Sequence, residues 1–265
     1  MFFRNLRNTS ARGVLALLLA VCVAAGAVNA GVINHGMVMG PGVAYIDITE
    51  TSDDPVPLYG APVTIGDDLA FFEPSSPNPS LGFSAQAGGG TVDLTDGFLN
   101  MTIMAKPAAG AIGMITFSEG GDYTMQGLAN TQAQVSATLN VFELRILEVD
   151  GSPIDPIVLS DIQTTTKNFP PDTVGQWDLS STFNINQALT DAGETFTLGA
   201  TKLTARINNT LTALTTPGAV AGIFKKDFDI EVETPLDPDV IIPEPTSLAL
   251  AGLALAAVLG RRRVA

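Results

Sequence analysis

The chain has 265 residues, with 27 acidic side chains, 13 basic side chains, one His and one Cys. Without its two apolar ends, the body (residues 31–242) keeps 26 acidic and 7 basic side chains and has no cysteine. This composition argues against nucleic acid or anionic lipid as a partner, because the body repels phosphate. It also excludes disulfides, thiolate zinc sites and cysteine nucleophiles from the body.

Residues 1–30 have the three parts of a secretory signal peptide. Three arginines form a positive start, an apolar run covers residues 14–28, and small residues precede Gly31. We expect export by Sec-type machinery and cleavage between Ala30 and Gly31. The alternative is a membrane anchor, but the apolar run is shorter than the roughly 20 residues that span a bilayer. The single cysteine, Cys22, would be lost with the signal peptide.

The body is predicted to be all-β, because apolar and polar residues alternate with a period of two. The alternation is clearest over residues 99–106, 135–141, 203–211 and 228–233. We expect one domain over residues 31–233, an antiparallel, jelly-roll-like β-sandwich of about 10–14 short strands.

Clusters of Gly, Pro and Asp predict the turns of this domain. These turns lie at residues 53–55, 87–90, 119–122, 150–153 and 216–218. Residues 31–42 and 73–82 are predicted loops, and residues 186–192 are expected to form one or two helical turns.

One strand is predicted to be irregular. In the run from Val135, apolar residues take odd positions as far as Val141 and then even positions from Phe142. Such a one-residue change indicates a β-bulge, or a strand that bends from one sheet into the other.

The C-terminal end consists of a linker and a hydrophobic tail. Residues 234–242 form a proline-rich acidic linker, and residues 243–265 contain Pro-Glu-Pro, an apolar run over 246–260 and three arginines at 261–263. A helix over this run is about 22 Å long, a marginal span for a hydrocarbon core of about 30 Å. Arginines stay on the cytoplasmic side, so the body would lie outside, as the signal peptide also predicts.

The order of these elements resembles the PEP-CTERM sorting signal. The resemblance rests on Pro243, Glu244 and Pro245, on the short apolar transmembrane helix, and on the cluster Arg261, Arg262 and Arg263. It implies a bacterial exosortase, an integral-membrane cysteine transpeptidase-like enzyme, that cuts near the prolines and releases or transfers the body. It also implies a host that makes exopolysaccharide, which then becomes a candidate partner. The alternative is an ordinary tail anchor.

No catalytic residues are predicted. The sequence has no GxSxG, HExxH or GxxxxGK[ST] motif, and His35 lies among glycines near the mature N-terminus, in a segment expected to be mobile. Trp177 is predicted to lie in the core. Four alternating carboxylates, at positions 227, 229, 231 and 233, are expected to form a solvated row, although a carboxylate pair could also serve glycoside hydrolysis.

No cofactor is expected, with calcium as the one exception to consider. Carboxylate oxygens suit this cation, and exported proteins meet it at high concentration. The candidate ligands lie in predicted loops and are Asp53, Asp54, Asp67, Asp68, Asp93 and Asp96.

These observations predict an exported, non-enzymatic protein that is tethered to the membrane transiently and then reaches the cell surface or extracellular matrix. Its role there would be structural or adhesive. A carbohydrate-binding or carbohydrate-active β-sandwich is the alternative, and would need a concave face lined by Trp177 or a tyrosine. A third possibility is a periplasmic binding domain on a permanent anchor.

Overall fold

A computed structural model describes residues 31–54, 57–72, 82–107 and 109–234. The signal peptide, the sorting signal and nearly all of the linker lie outside these ranges. The described elements, in chain order, are β1 (Gly31–Met39), β2 (Val43–Ser52), β3 (Pro62–Ile65), β4 (Asp68–Phe72), β5 (Ser84–Gly88), β6 (Val92–Ala105), β7 (Met114–Gly127), β8 (Ala133–Val149), β9 (Ser152–Phe169), β10 (Val174–Asn184), α1 (Ile185–Asp191), β11 (Ala200–Thr215) and β12 (Ala219–Glu233).

The strands form two antiparallel sheets that enclose a common core. Sheet A has the order β1-β2-β6-β11-β8-β9, and sheet B has the order β10-β7-β12-β4-β3, with β5 also pairing with β12. Apolar residues at alternate positions of both sheets face one another, and their side chains form a single buried cluster. The predicted antiparallel β-sandwich is therefore confirmed, although β8 and β9 have 17 and 18 residues and are not short.

The predicted bulge in β8 is present. The β8–β11 register slips by one residue beside Phe142, between the pairs Ile207–Val141 and Arg206–Glu143. Val141 and Leu144 are both fully buried on either side of it. Because of this slip, the apolar residues at even positions after Phe142 face the core. β8 stays in sheet A along its whole length.

Two loop predictions are wrong. Residues 31–39 form β1, which pairs with β2 from Gly31–Ser52 to Met39–Ala44. Gly36 lies at a register shift in this pairing and has a φ of +75°. Residues 119–122 are not a turn but lie inside β7, paired with β10 and β12. In both places the glycines allow a bulge or a close approach of backbones without ending the strand.

The short helix is confirmed at residues 185–191. Asn184 caps it, since its Oδ1 accepts a hydrogen bond of 2.9 Å from Gln187 N. Ile185 and Leu189, one turn apart, are fully buried against the sandwich.

Candidate functional site

The predicted processing sites lie outside the described residues, except for Gly31. Ala30, Pro243, Glu244, Pro245 and the arginines at 261–263 are not described, and neither is the predicted transmembrane helix over 246–260. Gly31 is the first residue of β1. Among the residues that the structure does describe, no helix is long and apolar enough to cross a membrane.

Within the described residues, four of the six calcium candidates bind backbone amides, among them Asp67 and Asp68. Asp67, in the turn between β3 and β4, accepts hydrogen bonds from Gly42 N at 2.5 Å and Val43 N at 3.1 Å. Asp68, the first residue of β4, accepts one from Val232 N at 2.9 Å. These carboxylates tie neighbouring segments to the sandwich.

The remaining candidates form one acidic group. Asp53 and Asp54 follow β2, whereas Asp93 and Asp96 lie in β6 and not in a loop. Asp54 Oδ2 accepts a hydrogen bond from Asp96 N at 3.2 Å. Burial, followed by the charges of Asp93, Asp96 and Asp53, raises the pKa of Asp54. Within residues 31–54, 57–72, 82–107 and 109–234, no three His, Cys, Asp or Glu side chains are placed to hold a metal ion, and calcium binding stays a prediction.

Asp54→Asn is expected to stabilise the domain at pH 7. The pKa of Asp54 in the folded protein lies above its ordinary value of 3.8, so the ionised form opposes folding at neutral pH. Asn removes this charge and keeps an oxygen for Asp96 N. We expect a rise in melting temperature of about 1–2 °C at low salt, which disappears below pH 3.8, where the carboxyl is protonated. A lower melting temperature at pH 7 would contradict this account.

The aromatic side chains that could stack on a sugar lie inside the sandwich. The single tryptophan and all three tyrosines are at most 7% exposed. Trp177 packs in the core, as predicted, and its Nε1 donates a hydrogen bond of 3.2 Å to Phe224 O. Their rings therefore present almost no surface to a ligand, although Trp177 is among the residues that line a groove on the outside of sheet B.

The predicted row of carboxylates lies on the outer face of β12. Asp227, Glu231 and Glu233 are exposed, and Asp229 is half-buried. Burial, followed by the neighbouring charges, raises the pKa of Asp229. The row borders a groove of about 450 Å³ on the outside of sheet B, between β10, β7 and β12.

His35 does not lie in a mobile segment. It is in β1, and its Nε2 lies 3.1 Å from Oε2 of Glu50, which is fully buried. Glu50 Oε1 accepts hydrogen bonds from the backbone N of Leu58 and, at 3.3 Å, of Tyr59. Glu50 thus fixes the loop after β2 and places Tyr59 in the core.

Four polar side chains meet between the two sheets, and we call them the interior cluster: Tyr59, Glu119, Asn209 and Lys225. None is more than 5% exposed. Tyr59 comes from the loop after β2, and the other three come from β7, β11 and β12. Both sheets therefore contribute to the cluster.

One carboxylate oxygen holds the cluster together. Lys225 Nζ lies 2.6 Å from Glu119 Oε2, and Asn209 Nδ2 donates a hydrogen bond to the same oxygen. Tyr59 OH donates to Asn209 Oδ1 at 2.5 Å. Among the described residues, the second oxygen of Glu119, Oε1, is buried without a hydrogen-bond partner. The Asn209 amide is thus held at both its oxygen and its nitrogen.

Aromatic rings surround the ammonium group. Lys225 Nζ lies 4.7 Å from the ring centroids of Tyr59 and Phe83 and 4.9 Å from that of Phe228. Gly97 makes room for this packing, since a Cβ at that inward position of β6 would lie 2.7 Å from the Phe83 ring. Aromatic rings therefore surround the ammonium group, and the charges of Glu50 and Asp227, outside the cluster, also act on it.

Burial opposes ionisation in the cluster. It raises the pKa of Glu119, with Lys225 and Asn209 acting in the opposite direction. It also lowers the pKa of Lys225, again against the attraction of Glu119. Burial and the charges of Glu119, Glu50 and Asp96 raise the pKa of Tyr59, which stays a hydroxyl donor. Burial therefore favours the neutral form of both partners, whereas their mutual attraction favours the ion pair.

A bulge in β12 turns Lys225 inward. Lys225 pairs with Gly121 and Asp227 pairs with Gly120, so Lys226 is the extra residue. The apolar parity changes there, from odd positions up to Ile223 to even positions from Phe228. Gly121 is required for this contact, because a Cβ on it would collide with the carbonyl oxygen of Phe224.

The interior cluster was not predicted, although the sequence contains a signal for it. In β7, Ile115 and Phe117 take the inward parity, and Glu119 follows at the same parity. In β12, Lys225 continues the odd apolar positions that end at Ile223. A charged residue that continues the alternating positions of buried apolar residues along a strand therefore indicates a polar group inside the sandwich.

A family model matches the C-terminal end of the chain. Residues 242–263 match the model of the PEP-CTERM protein-sorting motif. No curated protein matches the chain.

The resemblance to solved structures is weak. The family 11 xylanase from Neocallimastix patriciarum is 8% identical over 77% of this chain and 100% of its own, with a TM-score of 0.18. A loop-swap mutant of Xyn11A from the same organism is 7% identical, with the same coverage and TM-score. The infectious bursal disease virus VP2 subviral particle is 11% identical over 79% of this chain and 58% of its own, with a TM-score of 0.16.

The motif match confirms the resemblance of the tail, which indicates an exported protein that an exosortase-type enzyme processes at the membrane. This chain therefore carries a PEP-CTERM protein-sorting motif at residues 242–263.

Proposed function

We propose that the released body is a non-enzymatic structural or adhesive protein of the cell surface or extracellular matrix. The observation that carries this proposal is the sorting motif at residues 242–263 together with a sandwich that buries its tryptophan and its three tyrosines. In this proposal the tail directs delivery, the linker acts as a spacer, and the body takes part in assembly.

The outer surfaces of the sandwich support a structural role. Thr116 and Thr182 pair across β7 and β10 at 3.0 Å, and Thr138 and Thr164 pair across β8 and β9 at 3.2 Å. These pairs are neutral hydroxyl contacts on the outer faces of the two sheets. Trp177 is unavailable to stack on a sugar because it is buried.

The edges of sheet A support assembly with other chains. Sheet A ends on the 18-residue β9, and within the described residues no strand pairs with its outer edge. Val158 and Ile162 are 53% and 60% exposed on this strand. A long edge of this kind can pair with a strand of another molecule. The acidity of the body would oppose unspecific association.

Fractionation of the native host, together with a deletion strain, tests this proposal. We expect the mature body in the surface or matrix fraction, and we expect the strain that lacks it to form a less cohesive matrix. Re-expression of the whole chain should restore cohesion, and a chain that lacks residues 243–265 should not. Normal cohesion without the protein, or hydrolysis of matrix polysaccharide by the purified body, would contradict a structural role.

A further inference from the structure

We propose that the interior cluster forms an amide bond within the chain, between Lys225 Nζ and Asn209 Cγ, with release of ammonia. The cluster contains every group that this reaction needs: an amine, a carboxamide, an acid–base group beside both, and a hydroxyl donor on the carboxamide oxygen. This inference does not depend on the proposed function.

The reacting groups are close together. Lys225 Nζ and Asn209 Nδ2 both lie within hydrogen-bonding distance of Glu119 Oε2, so the two nitrogens are within about 6 Å of each other. All three side chains are buried in fixed positions on paired strands. Because the fold already holds the groups together, the reaction avoids the entropy loss that bringing two separate molecules together would cost.

The first step makes the amine nucleophilic. Lys225 transfers a proton to Glu119, because burial disfavours both charges and the aromatic enclosure excludes water. The neutral Nζ then attacks Cγ of Asn209 and forms a C–N bond, and the carbonyl π electrons move to Oδ1. Tyr59 OH, 2.5 Å from Oδ1, stabilises the negative charge that develops there.

The second step breaks the bond between Cγ and Nδ2. Protonated Glu119 gives its proton to Nδ2, to which it is already hydrogen-bonded, and the resulting carboxylate then takes a proton from Nζ. The carbonyl re-forms and ammonia leaves. The products are one amide, one ammonia and protonated Glu119, so atoms, charge and electrons balance without a further reactant. Residues 118–121 of β7 line the groove on the outside of sheet B, so the reaction requires ammonia to pass between the strands into this groove.

The bond would join the two layers of the sandwich. Asn209 lies in β11 of sheet A and Lys225 lies in β12 of sheet B, the last strand before the linker. The body has no cysteine, and an amide gives it a covalent cross-link that reducing agents do not open.

Mass spectrometry of the purified full chain tests this proposal. We expect a mass about 17 Da below that of the sequence, since ammonia is lost when the amine displaces the carboxamide nitrogen. Proteolysis should yield a branched peptide that joins Asn209 to Lys225. An unchanged mass in the folded protein would overturn the proposal. A loss of about 18 Da, from condensation of Lys225 with Glu119 itself, would overturn it as well.

Matched variants separate the reacting residues from their neighbours. Lys225→Met, Asn209→Ala and the nearly isosteric Glu119→Gln should keep the full mass, whereas Lys226→Met and Asn208→Ala should still lose ammonia. Near-ultraviolet circular dichroism verifies that Glu119→Gln is folded. A folded Glu119→Gln protein that still contains the branched peptide would remove Glu119 from the reaction and contradict the mechanism.

Discussion

Lys225→Met is expected to be less stable than Lys225→Met/Glu119→Gln by about 3–5 kcal/mol at pH 7, because Glu119 is then a buried carboxylate without a cation. Glu119 is 3% exposed, and its Oε2 lies 2.6 Å from the ammonium group that the substitution removes. Met fills a similar volume among the aromatic rings, so lost packing contributes little. Chemical denaturation measures the effect.

The matched control is the double variant Lys225→Met/Glu119→Gln, in which the cluster is neutral. Neither protein has the Lys225 amine, so the amide bond cannot form in either, and the comparison isolates the buried carboxylate. The double variant should regain most of the stability that the single variant loses. Equal stabilities at pH 8 would show that the Glu119 charge costs nothing in the core.

The loss in Lys225→Met should depend on pH. Burial raises the pKa of Glu119 above its ordinary value of 4.5, and removal of the lysine takes away the group that opposes this shift. The folded variant therefore binds a proton more tightly than its unfolded chain, and its unfolding free energy falls as the pH rises above 4.5. At pH 4 the single and double variants should differ least. A difference that does not change between pH 4 and pH 8 would contradict the assignment.

Pro243→Ala/Pro245→Ala is expected to leave the tail attached and most of the protein in the membrane fraction. Proline disfavours the helical backbone, so the sequence predicts an extended segment before the apolar run, with a backbone open to a processing enzyme. With alanine at both positions, the helix can continue through residues 243–245 and close that backbone. Immunoblotting of the membrane and released fractions measures the outcome.

The linker supplies the matched control for this experiment. Pro235→Ala/Pro238→Ala changes the same number of prolines upstream of the motif at residues 242–263, and release should stay normal. Unchanged release of Pro243→Ala/Pro245→Ala would count against recognition through the Pro-Glu-Pro segment.

Most of the sandwich was predictable because its strands obey a two-residue period. Even the bulge beside Phe142 could be read from the change of parity. β1 was missed because its glycines resemble a loop, and the pairing that makes it a strand comes from β2, which local patterns do not show. The prediction of a turn at residues 119–122 is wrong for a similar reason. Gly121 allows the backbone of β12 to come close to β7, and this contact is not visible in the local sequence.

The interior cluster was harder to predict than the fold. Glu119 and Lys225 are charged, and hydrophobicity patterns assign charged residues to the solvent-exposed face of a strand unless a buried partner is known. The partner depends on the pairing of β7 with β12 and on the extra residue Lys226. The contact between His35 and Glu50 could not be predicted for the same reason. The two residues are 15 positions apart in sequence, but His35 Nε2 lies 3.1 Å from Glu50 Oε2.

The mass of the mature protein, isolated from its own host and sequenced at both ends, tests the sorting account most directly. The account predicts a chain that begins at Gly31, ends close to residues 243–245 and is recovered outside the cytoplasm. A cytosolic polypeptide that still has both the leader and the basic tail would contradict it.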